Sequence, residues 1–160
     1  MIDAPRRAVS ADRATLVHMA EQAWTEALGQ RGGPQLTRDM ATPDEWAERF
    51  DGLLDDDRCL VLVGEIDGVP LGFTLARVDR PDADAAVVDL VALYTEPEAR
   101  GVGIAASLMD AVSTWAAEHG AAGMDAVVLP GNRSAKNFFE SFGMKARLIR
   151  VHRRLDDHDG

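Results

Sequence analysis

Gly101 and Gly103 stand between an apolar run over 87–93 and a helical pattern that begins at Ile104. A glycine bend that feeds a helix start is a site for an anion. The first turn of a helix leaves backbone N–H groups without partners, and the aligned peptide dipoles make that end positive. Glycines let a phosphate come close to those groups. Six residues before the end of the strand, Asp89 interrupts the apolar run, where an unpaired carboxylate costs several kcal/mol.

The elements around the bend follow from periodicity. Val87, Val88, Leu90, Val91 and Leu93 read as a strand buried on both faces, and pairing should end at Thr95 to Ala99, which hold Pro97. Ile104, Leu108, Ala111 and Trp115 form one helical stripe, closed by His119-Gly120. Upstream, Ala8 and Val9 suggest a short strand and 14–28 a helix, followed by a loop over 30–35. Thr42-Pro43-Asp44-Glu45 starts a helix carrying Trp46 and Phe50. Strands are predicted over 59–65 and 69–78 about an Asp67-Gly68 turn, with Gly72 a bulge or close-approach point, and a second turn is predicted at Pro81. Downstream come a short parallel strand over 126–129, a helix over 134–142 and a last strand over 145–155, with 156–160 a frayed tail.

Composition narrows the classes. At 160 residues the expectation is one domain over 1–155. No apolar run approaches the roughly twenty residues that span a bilayer, and the N-terminus lacks a secretory apolar segment. Cys59 is the only cysteine, which excludes an intrachain disulfide and a cysteine zinc cluster, so the cytoplasm is the expected compartment. The four histidines show no ligand spacing, and no metal is expected. The net charge of −10 disfavours nucleic acid and anionic membrane surfaces, and would attract a cation.

Two readings of the bend compete. Gly101, Gly103 and Ala106 satisfy the dinucleotide pattern G-x-G-x-x-[GA], with Asp125 about twenty residues on. Residues 95–100 nevertheless separate the first glycine from its strand, and too few βαβ units surround it. Alternatively, Arg100-x-x-Gly103-x-Ala105, within L-Y-T-E-P-E-A-R-G-V-G-I-A, resembles the [QR]-x-x-G-x-[GA] turn of the GNAT N-acetyltransferase superfamily. A second stretch, from Asn132 through Ala135, Phe138 and Phe139 to Gly143, is similar to that family's N-x-x-A-x-x-[FY]-Y-x-x-x-G-F block. The element order agrees too. The implied fold is α/β (α+β): a GNAT-like mixed, mostly antiparallel sheet with a central parallel, splayed strand pair and helices on both faces. The family usually has two strands after the last helix, whereas about ten residues remain here. That shortage leaves the acceptor-side edge, or a homodimer contact, undefined.

The resemblance implies transfer of an acetyl group from acetyl-CoA to a primary amine of a small molecule or peptide by direct attack. The N–H groups of Val102, Gly103, Ile104 and Ala105 would hold the pyrophosphate, with Gly101 also in the cofactor site. Arg100 would add a charged donor, and Arg133 and Lys136 further local positive charge. Leu93, Tyr94 and Thr95 would pair with the pantetheine arm. Asn132, Ala135, Lys136 and Phe138 of the second block would also contact the cofactor. An amine of pKa near 10.4 is neutral in only about one molecule in two thousand at pH 7, so a base is useful, and Asp89 and Glu96 are its candidates. Many family members have a tyrosine where this chain has Phe139, which cannot protonate the leaving thiolate. Tyr94, the only tyrosine, is the remaining phenol. A protein that binds acyl-CoA with little turnover, and a small dinucleotide-binding domain, are the alternatives.

Overall fold

In the computed structural model, which describes residues 1–79 and 86–156, one sheet carries helices on both faces. In chain order come β1 (Arg6–Arg7), α1 (Arg13–Leu28), α2 (Gly33–Thr37), α3 (Pro43–Asp55), β2 (Cys59–Ile66), β3 (Val69–Asp79) and β4 (Val87–Thr95). Then follow α4 (Ile104–Glu118), β5 (Gly123–Asp125) and α5 (Arg133–Ser141). The strands lie in sequence order, antiparallel except for the parallel pair β4–β5. The expected turn at Pro81 lies outside the described residues.

Alternation builds two cores. Leu60 and Leu62 of β2 face α4, with Leu108, Met109, Val112 and Trp115 beneath them. Val61 and Val63 face the other way, toward Leu16 and Met19 of α1 and Trp46 and Phe50 of α3. Because side chains on a strand point to opposite faces in turn, a strand covered on both sides reads as an unbroken apolar run. The turn between β2 and β3 needs two left-handed residues, and Asp67 and Gly68 supply them at φ 49° and 77°. Thr42 and Glu45 start α3 with reciprocal bonds: Glu45 N–H donates to Thr42 Oγ1 at 3.2 Å and Thr42 N–H to Glu45 Oε2 at 2.7 Å.

Some boundaries differ from the sequence expectation. The first strand pairs at Arg6 and Arg7, not at Ala8 and Val9, although Ala8 N–H still donates to Val61 O at 2.9 Å. The predicted loop over 30–35 holds the start of α2. The parallel strand lies at Gly123–Asp125, ahead of the predicted 126–129. Residues 145–155 form no strand: a strand needs a pairing edge, and β5 offers its own chain only a three-residue one that this segment does not reach.

One packing detail fixes α4 on the sheet. Gly64 and Gly72 face each other across β2 and β3. A Cβ at Gly64 would come within 2.6 Å of Ile104 Cγ2, and one at Gly72 within 2.9 Å of both that atom and the Tyr94 carbonyl. Ile104, the first residue of α4, is 1% exposed and rests on this glycine pair. Gly72→Val is expected to destabilise the fold by about 1–3 kcal/mol, because neither a backbone carbonyl nor a helix start can move aside cheaply. Urea unfolding midpoints of the two proteins check this.

Candidate acyl-donor site

β4 ends at Thr95, a short turn over Pro97–Ala99 follows, and the bend from Arg100 to Gly103 delivers the chain to α4. Gly101 and Gly103 adopt φ 83° and 106°, left-handed values that other residues rarely take. A Cβ at Gly101 would meet nothing within 4 Å, and one at Gly103 only Ile2 Cδ1 at 3.2 Å. The first helical bond of α4 is donated by Ser107 to Gly103 O. Among the described residues, the N–H groups of Gly101, Val102, Gly103, Ile104 and Ala105 have no acceptor. Five predicted residues thus form one loop of free donors at the positive end of a 15-residue helix.

The strand beside this loop is open along one edge. Among the described residues, β4 pairs with β5 only at Val87, Val88 and Asp89, and from Leu90 onward it has no partner on that side. On the other side Leu93, Tyr94 and Thr95 lie opposite Thr74, Phe73 and Gly72 of β3. Thr95 Oγ1 is buried without a hydrogen-bond partner.

Arg100 turns away from the bend. Its Nε donates to Thr95 O at 2.9 Å, and Nη1 and Nη2 donate to the Glu26 carboxylate at 2.9 and 2.7 Å. The guanidinium also lies 5.5 Å from the centre of the Tyr94 ring. Glu26 was not singled out from the sequence, since a surface acid on α1 gives no local sign that it will meet residue 100. Its neighbour Gln30 accepts a 3.2 Å bond from Asn132 Nδ2, while Asn132 Oδ1 caps α5 by accepting from Ala135 N–H at 3.1 Å. Between the end of α1 and the 130–132 turn lies a cleft of about 440 Å³ lined by Glu26, Gln30, Arg31, Pro130, Gly131 and Asn132. The remaining residues of the second block serve α5 itself. Lys136 pairs with Glu140 at 3.6 Å, and Phe138 packs on Phe139 and Phe142 with ring centres 5.3 and 5.2 Å away.

The proton-transfer candidates separate. Tyr94 is 6% exposed and donates its hydroxyl to Glu96 Oε2 at 3.3 Å. Burial first, and then the Glu96 carboxylate, push the phenol up to about 12, so it stays protonated at neutral pH. Asp89 is not brought to this group. It lies six residues back along β4, about 20 Å from Thr95 at strand rise. There it sits opposite Arg77 and Asp125, with the Arg77 guanidinium 4.0 Å away. Among the described residues no group of three His, Cys, Asp or Glu could hold a metal ion. Nor, among those residues, is any helix long and apolar enough to cross a membrane.

Comparison with known proteins agrees with this geometry. The model of the acetyltransferase (GNAT) family matches residues 18–144. The chain belongs to the GNAT acetyltransferase family. A dinucleotide domain is set aside, since it needs an open parallel sheet and only β4–β5 is parallel here. Among solved structures, the chain is similar to the aminoglycoside N-acetyltransferase AAC(6')-Iy in complex with the bisubstrate analog CoA-S-monomethyl-acetylneamine. That pair shows 21% identity and a TM-score of 0.72, covering 96% of this chain and 99% of the other. A possible acetyltransferase from Clostridium difficile 630 shows 18% identity and a TM-score of 0.72, covering 99% of each chain. The BH1408 protein from Bacillus halodurans, as a tetramutant, shows 17% identity and a TM-score of 0.77, covering 94% of this chain and 99% of the other. At these identities the likeness is one of fold. No curated protein matches the chain by sequence.

Asp89 gives a test of its placement. Burial raises its carboxyl above the ordinary value against the pull of Arg77, and Asp125 and Asp79 add to the rise. A raised carboxyl stabilises the fold most when protonated, below the ordinary carboxylate range, and that contribution is lost as pH rises through the folded value. Asp89→Asn, neutral throughout, should therefore melt at or above the parent temperature near about pH 7 and lose any margin near about pH 3. Thermal melts at the two pH values measure it.

Proposed function

We propose that this family member is an N-acetyltransferase that moves an acetyl group from acetyl-CoA to a primary amine by direct attack. The observation that carries the reading is the loop of N–H groups over Gly101 to Ala105 that have no acceptor among the described residues, with open space over Gly101 and only the tip of Ile2 beside Gly103. Those donors match a diphosphate, and a side chain at Gly103 would occupy the room it needs. Acetyl-CoA, when bound, supplies an activated thioester.

The chain's own residues divide the remaining work. The unpaired edge of β4 from Leu90 to Thr95 offers main-chain groups to an amide-bearing arm. Glu96, next to that edge, is the base that takes the amine's proton as the C–N bond forms and the C–S bond breaks. Tyr94, protonated and bonded to Glu96, is the donor nearest the strand end, in the place of the hydroxyl that Phe139 lacks. A CoA thiol with pKa near 8.5 also leaves tolerably without an acid. The acceptor is a small or peptidic amine, drawn by the net charge of −10 toward the cleft beside Glu26. A structural neighbour complexed with an acetylneamine–CoA analog supports a small-molecule amine. Phe139, with no hydroxyl, favours the second reading of a catalytically weak acyl-CoA-binding protein.

Gly103→Glu is expected to abolish acetyl-CoA binding in calorimetry while the far-UV circular dichroism stays that of the parent. Unchanged affinity would remove the proposed site. With an amine panel and release of free CoA as readout, Glu96→Gln should lower kcat by about 10²-fold with little change in the KM for acetyl-CoA. Absence of CoA release from the parent with every amine would favour the binding-only reading.

A further inference from the structure

The polar groups that line the cleft beside α1 are unevenly engaged. Glu26 accepts from Arg100 Nη1 and Nη2 on its two oxygens, at 2.9 and 2.7 Å. Gln30 Oε1 accepts from Asn132 Nδ2, and Asn132 Oδ1 from Ala135 N–H. Every side-chain oxygen of the lining therefore already takes a bond. The donors differ. Among the described residues the Arg31 guanidinium, Gln30 Nε2 and the Gly131 N–H have no acceptor. A cleft of about 440 Å³ whose oxygens are engaged and whose N–H groups are free suits a small ligand that brings oxygens of its own.

Charge in the lining points the same way. Glu26 is neutralised by Arg100, and Arg31 is the other charged side chain of the cleft. One uncompensated positive charge therefore stands in this cleft, within a chain whose net charge is −10. The planar guanidinium presents paired N–H groups in a fork that matches a carboxylate.

The chain also fixes where that charge stands. Gly33 N–H donates to Gln30 O at 2.9 Å, and Gly32 takes φ 80° and ψ 0°, which makes Gln30 to Gly33 a type II turn with Arg31 at its first corner. A Cβ at Gly33 would collide with the Ala27 carbonyl, and one at Gly32 would lie 3.3 Å from Pro130 Cδ. The turn is thus packed against both the end of α1 and the opposite wall of the cleft. On the other flank, Glu26 is tied through Arg100 to the Thr95 carbonyl and the Tyr94 ring. With the amine of an acceptor directed to that strand end, the far end of the molecule meets Arg31.

We propose that the acceptor is an amine that also carries a carboxylate, as free amino acids and short peptides do, and that Arg31 selects it. The inference rests on the acetyl-transfer reading and narrows its substrate class. Release of free CoA is measured with matched acceptors, each an α- or ω-amino acid and its carboxamide, together with a polyamine. The acids should exceed their amides in kcat/KM by about tenfold or more. Arg31→Ala should remove that difference through the KM of the acceptor, Arg31→Lys should restore part of it, and Arg31→Glu should reverse it in favour of the amides. Arg31 is exposed, so the variants should keep the circular dichroism of the parent. Amides or the polyamine used as well as the acids, or an Arg31→Ala effect confined to the KM of acetyl-CoA, would overturn the inference and leave acetyl transfer standing. No CoA release with any amine would sink both.

Discussion

The seating of Ile104 on the facing pair Gly64 and Gly72 is the contact on which the rest of the site depends. A helix start is normally the frayed part of a helix, since its first N–H groups have no partners. Here the first side chain of α4 is fully buried, at 1% exposure above two residues that have no side chain to displace it. Fixing that one residue fixes the direction of the free donors just before and after it. Gly103 at φ 106° then turns the preceding bend outward without strain. The sheet, the helix axis and the donor loop are set by one packing event.

The end of α1 provides a second brace. Glu26 holds Arg100 in a two-pronged pair, and Gln30, just past the end of the helix, holds Asn132, so one corner of the chain ties together the bend and the 130–132 turn. Side chains 44% and 42% exposed make the ion pair worth little as a free energy of folding. Its effect is geometric. With Nε on the Thr95 carbonyl and the ring of Tyr94 beneath, the guanidinium closes the corner where β4 becomes the bend.

What the sequence revealed and what it hid divide along range. The bend, the buried central strand and the stripe of α4 depend on neighbours within a few residues, and glycine spacing and apolar period report such neighbours directly. The capping pair Thr42 and Glu45 is legible for the same reason. Arg100 shows the limit. Its residue type suits a phosphate, yet a carboxylate 74 positions away takes both of its terminal nitrogens. Asp89 shows another: its facing partners, Arg77 and Asp125, depend on the register of two ladders, which no local pattern reports. The segment 145–155 has the pattern of a strand, but a strand also needs an edge to pair with, which no local pattern reports.

Charge placement then distinguishes the two proposed substrates. The chain is acidic overall, and two of the three cations expected to serve the donor are engaged, Arg100 with Glu26 and Lys136 with Glu140. The donors at the bend itself are neutral N–H groups whose partial charges act at contact and fade within a turn of helix. On the proposed reading a diphosphate would be held at short range by oriented dipoles while the long-range field opposes its approach, and that field is damped beyond roughly 8 Å at physiological salt. The same field draws a cationic amine from any direction. An acidic body with an uncharged anion cradle can thus accept both an anionic donor and a cationic acceptor, since each is governed by a force of different reach.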